Sequence, residues 1–162
     1  METIVIVDDF SRYTWTLFLE SKNDVFSAFK KLARRLQNIK NSNIGSIRSD
    51  HGGEFQNEKF SKFYEKMEIL LNFSAPRNPI QNGVVERKNR SFEELARTML
   101  SESSLPKYFW VDAVHTSCYV MNRVLIRPIL KKTPHELFNG RKPNIFHLRV
   151  FGCSCFVLNN GK

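Results

Sequence analysis

The sequence predicts an α/β domain with a mixed sheet flanked by helices, and three observations carry that prediction. Short β-branched and aromatic runs open the chain, apolar residues then recur at three- and four-residue spacing in several separate stretches, and the two kinds of segment alternate. Ile4-Val-Ile-Val7 is the first run and has the pattern of a strand covered on both faces; Tyr13-Thr-Trp-Thr-Leu-Phe-Leu19 is the second. Asp8-Asp-Phe-Ser-Arg12 between them has turn chemistry, so a hairpin is expected. From Asn23 to about Lys40 the residues Val25, Phe26, Phe29, Leu32, Ala33 and Leu36 predict an amphipathic helix whose other face carries Lys30, Lys31, Arg34 and Arg35.

Asn41-Ser-Asn43 breaks that helix, Ile44 to Ser49 reads as a short strand ending at Asp50, and Gly52-Gly53 forces a loop. Phe55 to Lys66 reads as a helix with Phe60, Phe63 and Tyr64 inward, followed by a strand over Ile69 to Phe73. Ala75-Pro-Arg-Asn-Pro-Ile-Gln-Asn-Gly83 is too rich in Pro, Asn and Gly to be regular. Val84 to about Ser101 predicts a long helix with Val85, Phe92, Leu95, Ala96, Met99 and Leu100 as its apolar stripe. Leu105-Pro106 starts another through Trp110, Ala113, Val114, Cys118 and Met121. Pro134 to Phe138 allows a short helix and Val150 to Leu158 a terminal strand or hairpin.

Composition narrows the classes. With 162 residues, 41% hydrophobic and 25% charged, the chain can bury a sizeable core and is neither disordered nor fibrous. No run approaches the roughly 20 apolar residues of a membrane span, and Glu2 stands where a secretory signal would place Lys or Arg. An intracellular location, nuclear or cytoplasmic, is therefore expected. Cys118, Cys153 and Cys155 are odd in number and lack CxxC pairing, which supports neither a disulfide framework nor a zinc module. Net charge is +9, and the excess lies after residue 75, where 14 basic side chains face 6 acidic ones. That asymmetry suits a polyanion.

Asp50 closes a strand beside small residues that leave its carboxylate open, and Glu86 lies in the first turn of a helix. Two carboxylates on neighbouring elements suit a hard divalent cation such as Mg²⁺ in phosphoryl transfer. The same residues also read as a turn residue and a helix N-terminal charge favoured by the macrodipole. His51 follows Asp50 in the loop; His115, His135 and His147 lack metal-ligand spacing and read as structural. Trp15, Trp110 and the 14 Phe residues read as packing, and Cys153 and Cys155 as alternating strand positions.

Ile47-Arg-Ser-Asp-His-Gly-Gly-Glu-Phe55 and Asn72-Phe-Ser-Ala-Pro-Arg-Asn-Pro-Ile-Gln-Asn-Gly-Val-Val-Glu-Arg-Lys-Asn89 resemble the integrase catalytic core of Ty1/copia-type LTR retrotransposons, an RNase H-like DDE polynucleotidyl transferase of a Gag-Pol polyprotein. Asp50 and Glu86 have 35 residues between them, the family's interval, and Val7-Asp-Asp-Phe-Ser-Arg-Tyr-Thr-Trp15 is similar to the preceding strand-turn-strand. Leu105-Pro-Lys-Tyr-Phe-Trp110, Ala113-Val114, Tyr119-Val-Met-Asn-Arg123, Thr133-Pro-His-Glu-Leu137 and Leu148-Arg-Val-Phe-Gly-Cys153 resemble the copia-type extension. The resemblance implies an RNase H-like core over residues 1–105 lacking its first strand, and a helical extension with a terminal strand segment over 106–162 packed on it.

It further implies that Asp50 and Glu86 are the second and third acidic ligands of two Mg²⁺ or Mn²⁺ ions used for 3′-end processing and strand transfer, with retroelement ends and target DNA as partners and self-association as a family trait. The first acidic ligand is expected upstream of Met1, so the chain reads as a fragment truncated at both ends and inactive alone. Asp8 and Asp9 are the remaining candidates for that ligand. Arg87, Lys88, Asn89 and Arg90 flank Glu86 as a DNA-facing or solvated basic surface, diluted by Glu93, and Gln81 and Asn82 belong to a loop able to reach the target strand. The alternative is a non-catalytic DNA-binding or protein-interaction module that keeps the fold.

Overall fold

The hairpin expected at the start of the chain forms from β1 (Glu2–Val7) and β2 (Thr14–Leu19), paired as a two-stranded sheet. The Asp8 N–H donates to the Tyr13 carbonyl at 2.9 Å, and the Asp8 carboxylate accepts from the Ser11 N–H at 2.8 Å and the Ser11 hydroxyl at 2.5 Å. Arg12 takes a left-handed φ of 61° to reverse the chain. The computed structural model describes residues 2–49, 57–73 and 83–157. Ile4 is buried, whereas Val5, Ile6 and Val7 are only half-buried, because β1 has one pairing partner among the described residues and lacks the surroundings of a central strand.

The chain divides into two units, the first drawn from residues 1–5 and 17–87. A 3₁₀ turn over Lys22–Asp24, capped by the Ser21 hydroxyl accepting from the Asn23 N–H, leads into α1 (Val25–Lys40). Val25, Phe29, Ala33 and Gln37 are buried at successive four-residue steps, and Asn41 ends the helix in the left-handed region, φ 48°. The Asn57 side chain caps α2 (Glu58–Lys66), accepting from the Phe60 N–H at 3.1 Å. Phe60, Phe63 and Tyr64 are buried, and Phe26 meets Phe60 edge-on at 5.0 Å. β3 (Ser46–Ser49) pairs with β4 (Leu70–Phe73) in parallel, Ser46 opposite Leu70 and Ser49 opposite Phe73. Parallel pairing needs a crossover, and α2 lies between the two strands in the chain.

The second unit is drawn from residues 6–16 and 88–162. It takes all but the start of α3 (Gly83–Glu102), whose Phe92, Ala96 and Leu100 are buried on one face. A 3₁₀ turn, Lys107–Phe109, precedes α4 (Trp110–Val124), which buries Ala113, Val114, Ser117, Cys118, Met121 and Asn122. α5 (Pro134–Asn139) starts from a complete capping box on Thr133 and Glu136 and stops at Gly140, φ 72°. Tyr13, Trp15 and Phe138 stack with ring centroids 4.9 to 5.1 Å apart, as the packing reading of Trp15 expects. Phe10, Phe146 and Phe156 depart from that reading and are exposed.

The strand expected from Val150 does not form over residues 150–157: the Cys153 N–H donates back to the Val150 carbonyl, and Gly152 takes a φ of 79°. A tight turn breaks the alternation that a ladder needs, so Cys153 and Cys155 are exposed loop residues.

Candidate functional site

Glu86 lies in the first turn of α3. Its carboxylate is exposed and makes no ion pair among the described residues. A negative charge is favoured there by the positive end of the helix dipole. Arg87 and Arg90 are also exposed, and the Arg87 guanidinium lies back against Gly83. Cations in the first two turns oppose the dipole.

The helix separates the residues that adjacency in sequence had grouped. Lys88 sits about 200° around the axis from Glu86 and is half-buried, and burial lowers its ammonium pKa, with Arg12 and Arg127 adding to the depression. Asn89 and Arg90 share the Glu86 side of the helix, but the Asn89 amide donates to Glu93 at 3.0 Å and Arg97 pairs with the same carboxylate at 2.9 Å. Glu93 therefore ties Asn89 and Arg97 into one ladder, which leaves Arg87 and Arg90 as the exposed cations beside Glu86.

Asp50, His51, Gln81 and Asn82 lie outside the described residues. Among the described residues no group of three or more His, Cys, Asp or Glu side chains is placed to hold a metal. The donor chemistry of Glu86 fits a hard cation: an exposed carboxylate with oxygen donors and no ion pair among the described residues. Asp8 is engaged by Ser11 and Asp9 by Arg12, so both carboxylates serve the hairpin turn. His135 is buried with Nδ1 3.3 Å from the Arg141 carbonyl, His147 meets the Tyr119 hydroxyl at 2.9 Å, and His115 is exposed. Trp110 is half-buried beneath the Arg97 guanidinium.

One grouping had no signal in the sequence. Lys88, Arg12 and Arg127 come close enough to depress the Lys88 ammonium together, although they belong to three segments far apart in the chain. Local periodicity carries no information about such a meeting.

An integrase core domain model matches residues 1–79. The retrovirus-related Pol polyprotein from transposon TNT 1-94 of Nicotiana tabacum is 35% identical over 154 residues, 95% of this chain and 12% of that protein. The Pol polyprotein from transposon RE1 of Arabidopsis thaliana is 37% identical over 154 residues, 94% of this chain and 10% of its own length. This chain thus spans about a tenth of the curated relatives it matches. Among solved structures, the HTLV-2 integrase catalytic core domain in complex with magnesium, in its trimeric form, superposes with a TM-score of 0.64 at 22% identity, covering 84% of this chain and 83% of that one. At that identity the likeness shows the fold, an RNase H-like one. In sequence the chain is similar, over 94 to 95% of its length, to the Pol polyproteins of these retrotransposons, and over residues 1–79 to the integrase core domain.

Proposed function

We propose that this chain supplies part of a metal-dependent phosphoryl-transfer site that processes the 3′ ends of retroelement DNA and joins them to target DNA. Glu86 carries the reading: an exposed carboxylate in the first turn of α3, with 35 residues between it and Asp50, beside the exposed guanidinium groups of Arg87 and Arg90. The Asp50 and Glu86 carboxylates would hold Mg²⁺ or Mn²⁺, two ions in this reading, which when bound supply Lewis-acid polarisation of a phosphodiester. Arg87 and Arg90 hold backbone phosphates through their planar forks, and Gln81 and Asn82 orient the strand by hydrogen bonds, while Asn89 stays held by Glu93. Lys88 contributes positive field from a half-buried position. A DNA partner sets the compartment, nuclear or cytoplasmic, and the trimeric form named for the HTLV-2 core supports self-association. No helix among the described residues is long and apolar enough to cross a membrane.

The test is a Mn²⁺ titration followed by electron paramagnetic resonance on the wild type, Asp50→Asn and Glu86→Gln. Each substitution is expected to weaken Mn²⁺ binding by about tenfold or more and to leave the affinity for a random-sequence duplex in EDTA unchanged. Arg87→Gln with Arg90→Gln is expected to do the reverse. Equal Mn²⁺ affinity in all three proteins would overturn the reading in favour of a non-catalytic DNA-binding module.

A further inference from the structure

α1 carries Lys30, Lys31, Arg34, Arg35 and Lys40 in 16 residues and no acidic residue. Its inner face is settled by the buried Val25, Phe29, Ala33 and Gln37. Lys31, Arg34 and Arg35 are exposed and Lys30 is half-exposed, and the four line an open groove with Phe26 at one end and Ile39 at the other. Lys30 and Arg34, and Lys31 and Arg35, are neighbours on adjacent turns, where like charges repel.

Two other helices each pair one exposed cation with a carboxylate one turn away. Glu58 meets Lys62 at 2.6 Å on α2, and Glu93 meets Arg97 at 2.9 Å on α3. On α1 none of the four makes an ion pair among the described residues, and Lys30 has only the Phe26 ring, 5.6 Å from its Nζ. A helix that keeps four mutually repelling cations over about 8 Å of its length is matched by a ligand with closely and regularly spaced negative charge. A DNA duplex, with one charge per roughly 1.7 Å of axis, has that spacing.

We infer that the outer face of α1 is a sequence-independent docking surface for the backbone of a DNA duplex, distinct in the chain from the basic residues of α3. A membrane surface fits less well, since the apolar face such a helix would insert is the one buried in the protein core. A second copy of a chain with net charge +9 fits less well still. The surface goes beyond the metal-dependent chemistry proposed above and does not require it.

The experiment is the salt dependence of binding to a random-sequence duplex, read by fluorescence anisotropy in EDTA, for the wild type and the K30Q/K31Q/R34Q/R35Q protein. The slope of log affinity against log salt is expected to become shallower by about 3 to 4 in the fourfold variant. Its melting temperature is expected to hold or rise, because the repulsion is gone. K31Q/R35Q, a lighter change, is expected to lose about half of that slope, and K30R/K31R to keep all of it. An unchanged slope in folded K31Q/R35Q and fourfold proteins would overturn the inference. So would a loss of binding to phosphatidylserine vesicles with DNA binding intact. Because no divalent ion is present, this result is independent of the Mn²⁺ titration of Asp50→Asn and Glu86→Gln.

Discussion

Asn122 does the work of a neighbouring strand for Thr14. Its Oδ1 accepts the Thr14 N–H at 2.9 Å and its Nδ2 donates to the Thr14 carbonyl at 2.8 Å, both in buried surroundings. The Cys118 thiol reaches the same carbonyl at 3.2 Å. A buried backbone pair left open costs the desolvation of each group, so Asn122→Ala is expected to destabilise the protein by about 2 to 4 kcal/mol. Chemical denaturation at neutral pH measures this, and a loss under 1 kcal/mol would show that other groups satisfy Thr14. Nothing in the sequence distinguishes Asn122 from a surface residue at a polar helix position. Its partner lies 108 residues away, and only the packing of α4 against that stretch reveals the role. Lys88 is a similar case: its neighbours Arg87 and Arg90 are exposed, and the helical rotation between them makes it the half-buried one.

Elements were legible where caps and periodicity agree. α5 begins where Thr133-Pro-His-Glu136 offers a cap, a proline at the first helical position and a glutamate at the third, and the structure closes every bond of that box. Thr133→Ala is expected to cost about 1 kcal/mol. The hydrogen bonds from Thr133 lower the Glu136 carboxyl pKa. A carboxyl depressed in the folded state stabilises above its ordinary value and loses that contribution as the pH falls through the folded value. The deficit of Thr133→Ala should therefore shrink in acid, which unfolding curves at neutral and acidic pH will show or refute. α1 and α2 were equally readable from their apolar spacing, and both fold as expected. The segment after Val150 was misread because Val, Phe and Cys alternate there without a strand to pair with among the described residues, and Gly152 turns the chain instead.

At the scale of the whole molecule, each unit buries a group that resists ionisation: Tyr64 in the first, pushed up to about 12, and Cys118 in the second, pushed up to about 11, both by burial. Between about pH 9 and 11 the unfolded thiol has lost its proton while the folded one keeps it, so stability falls with rising pH over that range. Lys88 acts with the opposite sign, since a lowered ammonium pKa favours the folded state as the pH rises through it. Melting temperature is expected to fall above pH 9 in the wild type and to fall less in Cys118→Ala; parallel profiles would rule out the thiol. The sequence by itself determined the α/β class, the order of helices and strands as far as α5, the excess of positive charge and the position of Glu86 in the first turn of α3, because caps, periodicity and charge are local properties. Only the tertiary structure decided that Lys88 is half-buried between exposed basic neighbours, that Glu93 occupies Asn89, and that Asn122 closes the hydrogen bonds of Thr14. Those outcomes depend on which distant side chain arrives at a given face, and burial energy selects that partner after the local elements have formed.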